Sequence, residues 1–174
     1  MIFEKKDISA LEGLIWQALQ LYSIENLQQF VLDPDERVRF AAARHLQLHG
    51  GDFAYELALS LIGSADVSVR VVGIFILGQL GAPLLPYSEQ SWPILVDLLR
   101  EKSLKIRREA IVALGHLGVS SSIPHLLRFC DSKDEKTRVA VAIALSRFNA
   151  SETAKSALKQ LASDDSSEVR FWAA

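Results

Sequence analysis

The sequence predicts an all-α protein, an α-solenoid of about five stacked helix pairs with an N-terminal capping helix. The main observation is an internal repeat, in which a β-branched residue and an arginine recur with arginine spacings of 31, 37, 31 and 32. The apolar residues after each arginine have the period of a helix, and no segment alternates like a half-buried strand. The repeated dipeptides are Val38-Arg39, Val69-Arg70, Ile106-Arg107, Thr137-Arg138 and Val169-Arg170.

The second helix of each pair begins near the repeat arginine. Apolar residues at offsets −1, +3, +7 and +10 from it fall on one helix face. Asp or Ser ahead of the arginine can cap the helix, and Gly or Asn at +11 suits a left-handed residue that ends it. These closing residues are Gly50, Gly81, Gly118 and Asn149.

A shorter first helix precedes each second helix. The predicted first helices span 25–32, 53–62, 92–99, 123–130 and 153–162, and the capping helix spans 8–22. The pairs therefore cover approximately 25–50, 53–81, 92–118, 121–149 and 153–174, within one domain over 1–174. The last second helix ends four residues after Arg170, so we expect the natural chain to continue with further repeats.

The composition excludes several classes of protein. The chain of 174 residues is 49% hydrophobic with a formal net charge of −2, which argues against a general attraction to nucleic acid or to an anionic membrane. The single cysteine, Cys130, excludes an internal disulfide framework. Neither a signal peptide nor a membrane span is recognisable, so we expect a cytoplasmic protein.

The repeat unit resembles the HEAT-like repeats of the phycobilisome-lyase type. The segment 33–39 (DPDERVR) with Ala41-Ala42, and the segment 106–115 (IRREAIVALG), carry the resemblance. Segments 43–51 and 73–79 are similar to a bacterial subgroup encoded near rearrangement-hotspot toxin elements. The resemblance implies a scaffold, and more specifically a protein that neutralises a toxin. Bilin lyases and DNA glycosylases of HEAT-like type are enzymatic alternatives.

In such repeats, Asp and Arg of neighbouring pairs form a ladder along the solenoid. We therefore interpret the repeat arginines as structural residues, with an anion-binding row as the alternative. Paired Arg–carboxylate bonds suit this stacking. The predicted ladder consists of Asp33, Asp35, Arg39, Asp66, Arg70, Arg107, Asp134, Arg138 and Arg170, and Asp164 is a further acceptor.

No catalytic or metal-binding constellation is predicted, and no cofactor. HEAT-repeat metal hydroxylases carry His-Glu just after the repeat arginine, where this chain matches only at Glu109. His45 and His49 have a metal-compatible spacing but no third ligand, and His125 and Cys130 point to different sides of a helix. The basic cluster that a DNA-binding protein would use is flanked by Glu101 and Glu109. The cluster consists of Lys102, Lys105, Arg107 and Arg108.

An apolar stripe is predicted along the concave side, from offsets +1 and +5 of the second helices. Related repeats usually carry polar residues there. The residues are Phe40, Arg44, Val71, Phe75, Arg108, Val112, Val139 and Ile143, with Phe171 at the last repeat. We predict that this stripe binds a protein partner; the alternative is that these side chains pack against neighbouring second helices. The longer connection over 82–92 either contacts a partner or covers helix ends, through Leu84, Leu85 and Tyr87.

Overall fold

The computed structural model describes residues 10–174, in which all regular structure is helical, as predicted. Two short 3₁₀ segments, Gln28–Leu32 and Ser120–Ser122, lie beside the shortest α-helices. The α-helices are α1 (Ala10–Leu19), α2 (Ile24–Leu27), α3 (Glu36–His49), α4 (Gly51–Ile62), α5 (Val67–Gln79), α6 (Ser88–Leu98), α7 (Leu104–Leu117), α8 (Ile123–Leu127), α9 (Glu135–Leu145), α10 (Glu152–Leu161) and α11 (Ser167–Ala173). Five pairs follow α1, and their second helices are α3, α5, α7, α9 and α11.

Asp or Ser residues cap the second helices, as predicted, and in the last repeat the cap is Ser166 rather than Asp164. Asp35, Asp66, Ser103, Asp134 and Ser166 each have an extended backbone, and each side chain accepts a hydrogen bond from a backbone N–H two or three residues later. This satisfies amides that have no partner inside the helix. The leucines at offset +7 are fully buried, which confirms the predicted core face: Leu46, Leu77, Leu114 and Leu145.

Several predicted boundaries are wrong. The first helix of the first pair is one α-turn that continues as a 3₁₀ segment, and α6 begins at Ser88, with Pro93 inside the helix. Gly81 and Gly118 are left-handed as predicted, but Gly50 has φ −80° and Gly51 takes the positive φ instead. Gly50 serves close packing, since an added Cβ would lie 2.3 Å from the Ala54 Cβ.

The second helices stack directly on one another from repeat to repeat. Contacts run from α3 to α5, α5 to α7, α7 to α9 and α9 to α11, whereas α4 and α6 hardly touch. Small residues bring the second helices together: a Cβ added to Gly115 would lie only 2.5 Å from the Ala144 Cα. Because the second helices are closer together than the first helices, they line the inner, concave side of the stack.

The capping helix α1 packs against α3. The Trp16 ring stacks on the buried His45 ring with centroids 3.7 Å apart, and His45 Nε2 lies 3.2 Å from the Trp16 carbonyl oxygen. The helix is shorter than the predicted span of 8–22, of which positions 8 and 9 lie outside the described residues. Within residues 10–174, no helix has the length and apolar character needed to cross a membrane.

Candidate partner-binding surface

Four apolar residues of the predicted stripe remain partly exposed. Phe40, Phe75, Val112 and Ile143 pack against the core with one side and keep the other in solvent. The rings of Phe40 and Phe75 meet edge to face, with centroids 5.0 Å apart, and so continue the apolar surface from α3 to α5. These four side chains are therefore neither fully buried nor fully exposed.

Two residues of the predicted stripe are buried. Val71 is 3% exposed and Val139 is 8% exposed, so neither can contact a partner in this structure. Both lie at offset +1, which is close in helical phase to offset +8, where Gly115 contacts Ala144 of the next second helix. The +1 position therefore faces the neighbouring repeat rather than the centre of the concave side.

The exposed surface of the second helices is centred on offsets −2, +5 and +9, which lie within about 40° of one another on a helix. We call these positions in the repeats of α3, α5, α7 and α9 the inner face. The +9 positions were missed in the sequence, although they follow +5 by one helical turn. The inner face consists of Arg37, Arg44, Leu48, Ser68, Phe75, Gln79, Lys105, Val112, His116, Lys136, Ile143 and Arg147.

The inner face is basic, although the whole chain is slightly acidic. It contains five cationic side chains and no carboxylate, whereas the chain has a net charge of −2. Arg37 pairs with Asp35 at 2.5 Å. The other four cations form no hydrogen bond or ion pair with any residue in the described range: Arg44, Lys105, Lys136 and Arg147.

One ionisable group on the inner face, His116, and one beside it, Glu109, have strongly shifted pKa values. Burial raises the pKa of Glu109 to about 7, although the nearby Lys105 charge acts in the opposite direction. Burial, and to a smaller extent the charge of Arg147, lowers the pKa of His116 to about 4. Glu109 lies at offset +2, at the edge of the inner face on the side of α5, and its side chain makes no hydrogen bond among the described residues.

The repeat arginines mainly bind the turns that precede their own helices. Nη1 of Arg39, Arg107 and Arg170 donates to the carbonyl oxygens of Asp33, Glu101 and Asp164, at 2.5 to 2.6 Å. These bonds hold in place the turn before each second helix. Few guanidinium donors of these arginines therefore remain to bind an external anion.

The ladder between repeats differs from the predicted one. Arg138 donates from Nε and Nη2 to both carboxylate oxygens of Asp164, at 2.7 and 2.9 Å. Arg70 instead pairs with Glu101 at 2.5 Å, and Arg108 lies 3.7 Å from Asp134. Three predicted ladder carboxylates, Asp35, Asp66 and Asp134, cap their own helices, because their position just before the first turn suits that role better.

In the described part of the chain, the histidines and the cysteine belong to no group of metal ligands: no three His, Cys, Asp or Glu side chains among residues 10–174 are placed to hold a metal ion. Cys130 is buried, and burial, with the Asp131 charge, raises the pKa of its thiol. A raised pKa disfavours the thiolate that a nucleophile needs.

The long connection between α5 and α6 covers the neighbouring first helix. The Tyr87 hydroxyl donates to Asp52 at 2.7 Å, and its ring stacks on Tyr55 with centroids 5.3 Å apart. Leu84 extends away from the protein and is 87% exposed. The connection therefore packs through Tyr87, while Leu84 and the two prolines beside it and after it, Pro83 and Pro86, are exposed.

Parallel stacked helix pairs with a continuous core and a concave side lined by second helices define an α-solenoid repeat protein. The chain belongs to the HEAT-repeat family, which matches residues 55–138 and 92–174. It is also similar to Protein YibA of Escherichia coli K12 and of E. coli O157:H7, each 30% identical over 179 residues. The match covers 99% of this chain and 63% of each relative, so the chain spans less than two thirds of their length.

Solved structures show the same fold. The X-ray structure of E. coli YibA is 22% identical, with a TM-score of 0.63 over 98% of this chain and 75% of that chain. A designed armadillo repeat protein in complex with the peptide (KR)4 is 17% identical, with a TM-score of 0.55 over 87% and 79%. At these identities the likeness concerns the fold.

Proposed function

We propose that this protein is a non-catalytic scaffold that binds a protein partner along its inner face. The proposal depends mainly on one observation: Phe75, Val112 and Ile143 follow one another on three stacked helices and remain partly exposed. Apolar surface that is continuous and bordered by charged residues is typical of interaction sites. The partly buried side chains are also held in place by the core, so binding costs little side-chain entropy.

The fold supports the same proposal. One structural neighbour, the designed armadillo repeat protein, is in complex with a peptide. A stack of parallel helices offers the same kind of position once per repeat, which suits an extended segment that crosses the helices. Neutralisation of a toxin would be one form of this binding, and it is supported by the sequence resemblance alone.

Affinity capture from a lysate of the source cells tests the proposal. The wild type and the variant Phe75→Ser/Ile143→Ser serve as baits, after circular dichroism shows that both are folded. The matched control is Leu21→Ser/Leu84→Ser, which changes two leucines that are each 87% exposed and lie outside the inner face.

We expect the inner-face variant to recover the partner about tenfold less efficiently, because buried apolar anchors carry most of the energy of an interface. The control should recover it as well as the wild type does. If the inner-face variant retains the partner, or if the control loses it equally, binding through the inner face is refuted.

A further inference from the structure

The charges of the inner face point to the chemistry of its partner. Lys105 and Lys136 occupy the same offset on neighbouring helices α7 and α9, and Arg147 lies just after α9 on the same side. Arg44 occupies the corresponding surface on α3. None of the four has a carboxylate partner within the described part of the chain, and all are exposed. Apolar side chains of Phe75, Val112 and Ile143 lie among them.

We infer that the inner face binds an extended acidic peptide segment in which every third residue is Asp or Glu and the residues between them are apolar. This inference builds on the proposed function and names the class of partner. Complementary charge at an interface steers the encounter and excludes partners of the wrong sign. A basic peptide is disfavoured because the inner face would hold its charges beside unpaired lysines and arginines.

The repeat geometry sets the spacing of the acidic residues. Stacked helices lie about 10 Å apart, and an extended chain in the polyproline II conformation advances about 3.1 Å per residue and repeats its side-chain directions every three residues. A segment that crosses α7 and α9 therefore places residues i and i+3 near Lys105 and Lys136. Val112 and Ile143 lie seven residues further along the same helices, about 10 Å from the lysines, so a segment that runs between these two rows turns its intervening residues toward them, and those residues are expected to be apolar. A segment of about twelve residues spans the four helices of the inner face.

A peptide suits this surface better than a nucleic acid does. The cations are separated by apolar side chains, and a phosphate backbone offers these no apolar contact. Two further cations near the N-terminal ends of these helices, Arg37 on the inner face and Arg108 beside it, are close to Asp35 and Asp134.

A displayed library of random peptides, about twelve residues long, provides the probe. Selection is carried out in parallel on the wild type, on Lys105→Glu/Arg147→Glu, and on the control Arg128→Glu/Lys159→Glu. The control changes the net charge by the same amount. Its two exposed residues, Arg128 just after α8 and Lys159 on α10, lie in the layer of first helices. Selected peptides are synthesised with a fluorophore, and their Kd is measured by fluorescence anisotropy.

We expect the wild type to enrich peptides with an excess of Asp and Glu spaced three residues apart. Their Kd should rise about tenfold or more in the inner-face variant and remain within about twofold in the control. Raising the salt from about 50 to about 500 mM should also weaken binding to the wild type. If Lys105→Glu/Arg147→Glu does not fold, Lys105→Gln/Arg147→Gln is measured instead, with the same expected direction.

Several results would overturn the inference. These are the selection of neutral or basic peptides, the absence of any enriched peptide, and an equal loss of binding in the control. Displacement of the selected peptides by oligothymidine would assign the cations to nucleic acid instead. Non-acidic peptides that still require Phe75 and Ile143 would refute the acidic partner while supporting the proposed function, so the two failures are distinguishable.

Discussion

At the scale of single residues, Arg138 makes the strongest link between two repeats. Its guanidinium binds both carboxylate oxygens of Asp164 and donates to the Ser132 carbonyl at 2.7 Å. The side chains of the pair are only 18% and 10% exposed, so solvent competes weakly for these bonds. We expect Arg138→Ala to lower the free energy of unfolding by about 1.5 to 3 kcal/mol, measured by urea denaturation.

The matched control for this prediction is Arg37→Ala. Arg37 also pairs with an Asp, but the side chains of that pair are 49% and 37% exposed. Exposed ion pairs contribute little, so we expect a clearly smaller loss of stability. Equal losses in the two variants would show that Arg138 does not link the repeats in the way its contacts indicate.

Glu109 makes stability depend on pH. Its pKa is about 7 in the folded chain against an ordinary value of 4.5, so the folded chain holds more protons than the unfolded chain between these values. The contribution of Glu109 is therefore complete below about pH 4.5 and lost as the pH rises through about 7. Because His116 changes stability in the opposite direction over the same pH range, both proteins carry His116→Gln: between about pH 4.5 and 7 the melting temperature of His116→Gln should fall, while that of Glu109→Gln/His116→Gln should stay nearly constant.

His116 has the opposite effect and requires its own control. Its pKa is lowered from 6.5 to about 4, so its contribution is present above about pH 6.5 and lost as the pH falls toward 4. The variant His116→Gln should remove that loss, so that the fall caused by Glu109 is seen alone. If Glu109→Gln/His116→Gln retains the fall between about pH 4.5 and 7, another group is responsible for it.

At the scale of helices, Gly115 sets the distance between α7 and α9. An added Cβ would lie 2.5 Å from the Ala144 Cα and 3.0 Å from its carbonyl oxygen, so backbone atoms would have to move. We expect Gly115→Ala to destabilise the protein by about 1 to 3 kcal/mol, as overpacking generally does. The free energy of unfolding from urea denaturation measures this loss.

Gly63→Ala provides the contrasting substitution. Gly63 has φ −73°, and a Cβ there would be no closer than 3.4 Å to its nearest contact. The substitution reduces the freedom of the unfolded chain without a clash, so stability should be unchanged or slightly higher. A destabilisation at Gly63 as large as that at Gly115 would mean that steric contact between second helices is not the cause.

The second helices could be predicted from the sequence because local signals specify both ends and one face. The caps at Asp35, Asp66 and Asp134 and the buried leucines at +7 illustrate this. The first helices were predicted less accurately, since α2 is only one α-turn and α6 continues through Pro93. Their ends depend on contacts with the next repeat, such as the bond from Trp92 Nε1 to Ser122 Oγ at 3.0 Å.

At the scale of the whole molecule, the inner face could be predicted only in part. A helical wheel locates the exposed side of one helix to within about one position, which was sufficient for Phe75, Val112 and Ile143. It failed at Val71 and Val139, because the side chain at +1 faces the next second helix. The stacking of the repeats determines that direction, and the sequence of a single repeat does not contain it.

The same stacking predicts which helices unfold locally most often. In this chain α7 is packed between α5 and α9 and also contacts α6, whereas α1 is supported mainly by α3. Repeat proteins gain stability from contacts between neighbours, so helices in the middle should open less often than those at the ends. We expect amide hydrogen exchange, followed by mass spectrometry, to be slowest in α5 and α7 and faster in α1 and α8, which have weaker contacts with other helices. Gly115→Ala weakens the contact between α7 and α9, so it should speed exchange most in the helices on the α9 side of that contact and leave α3 to α5 less affected. Uniform protection from α1 to α11, changed equally everywhere by Gly115→Ala, would instead mean that the stack unfolds as one cooperative unit.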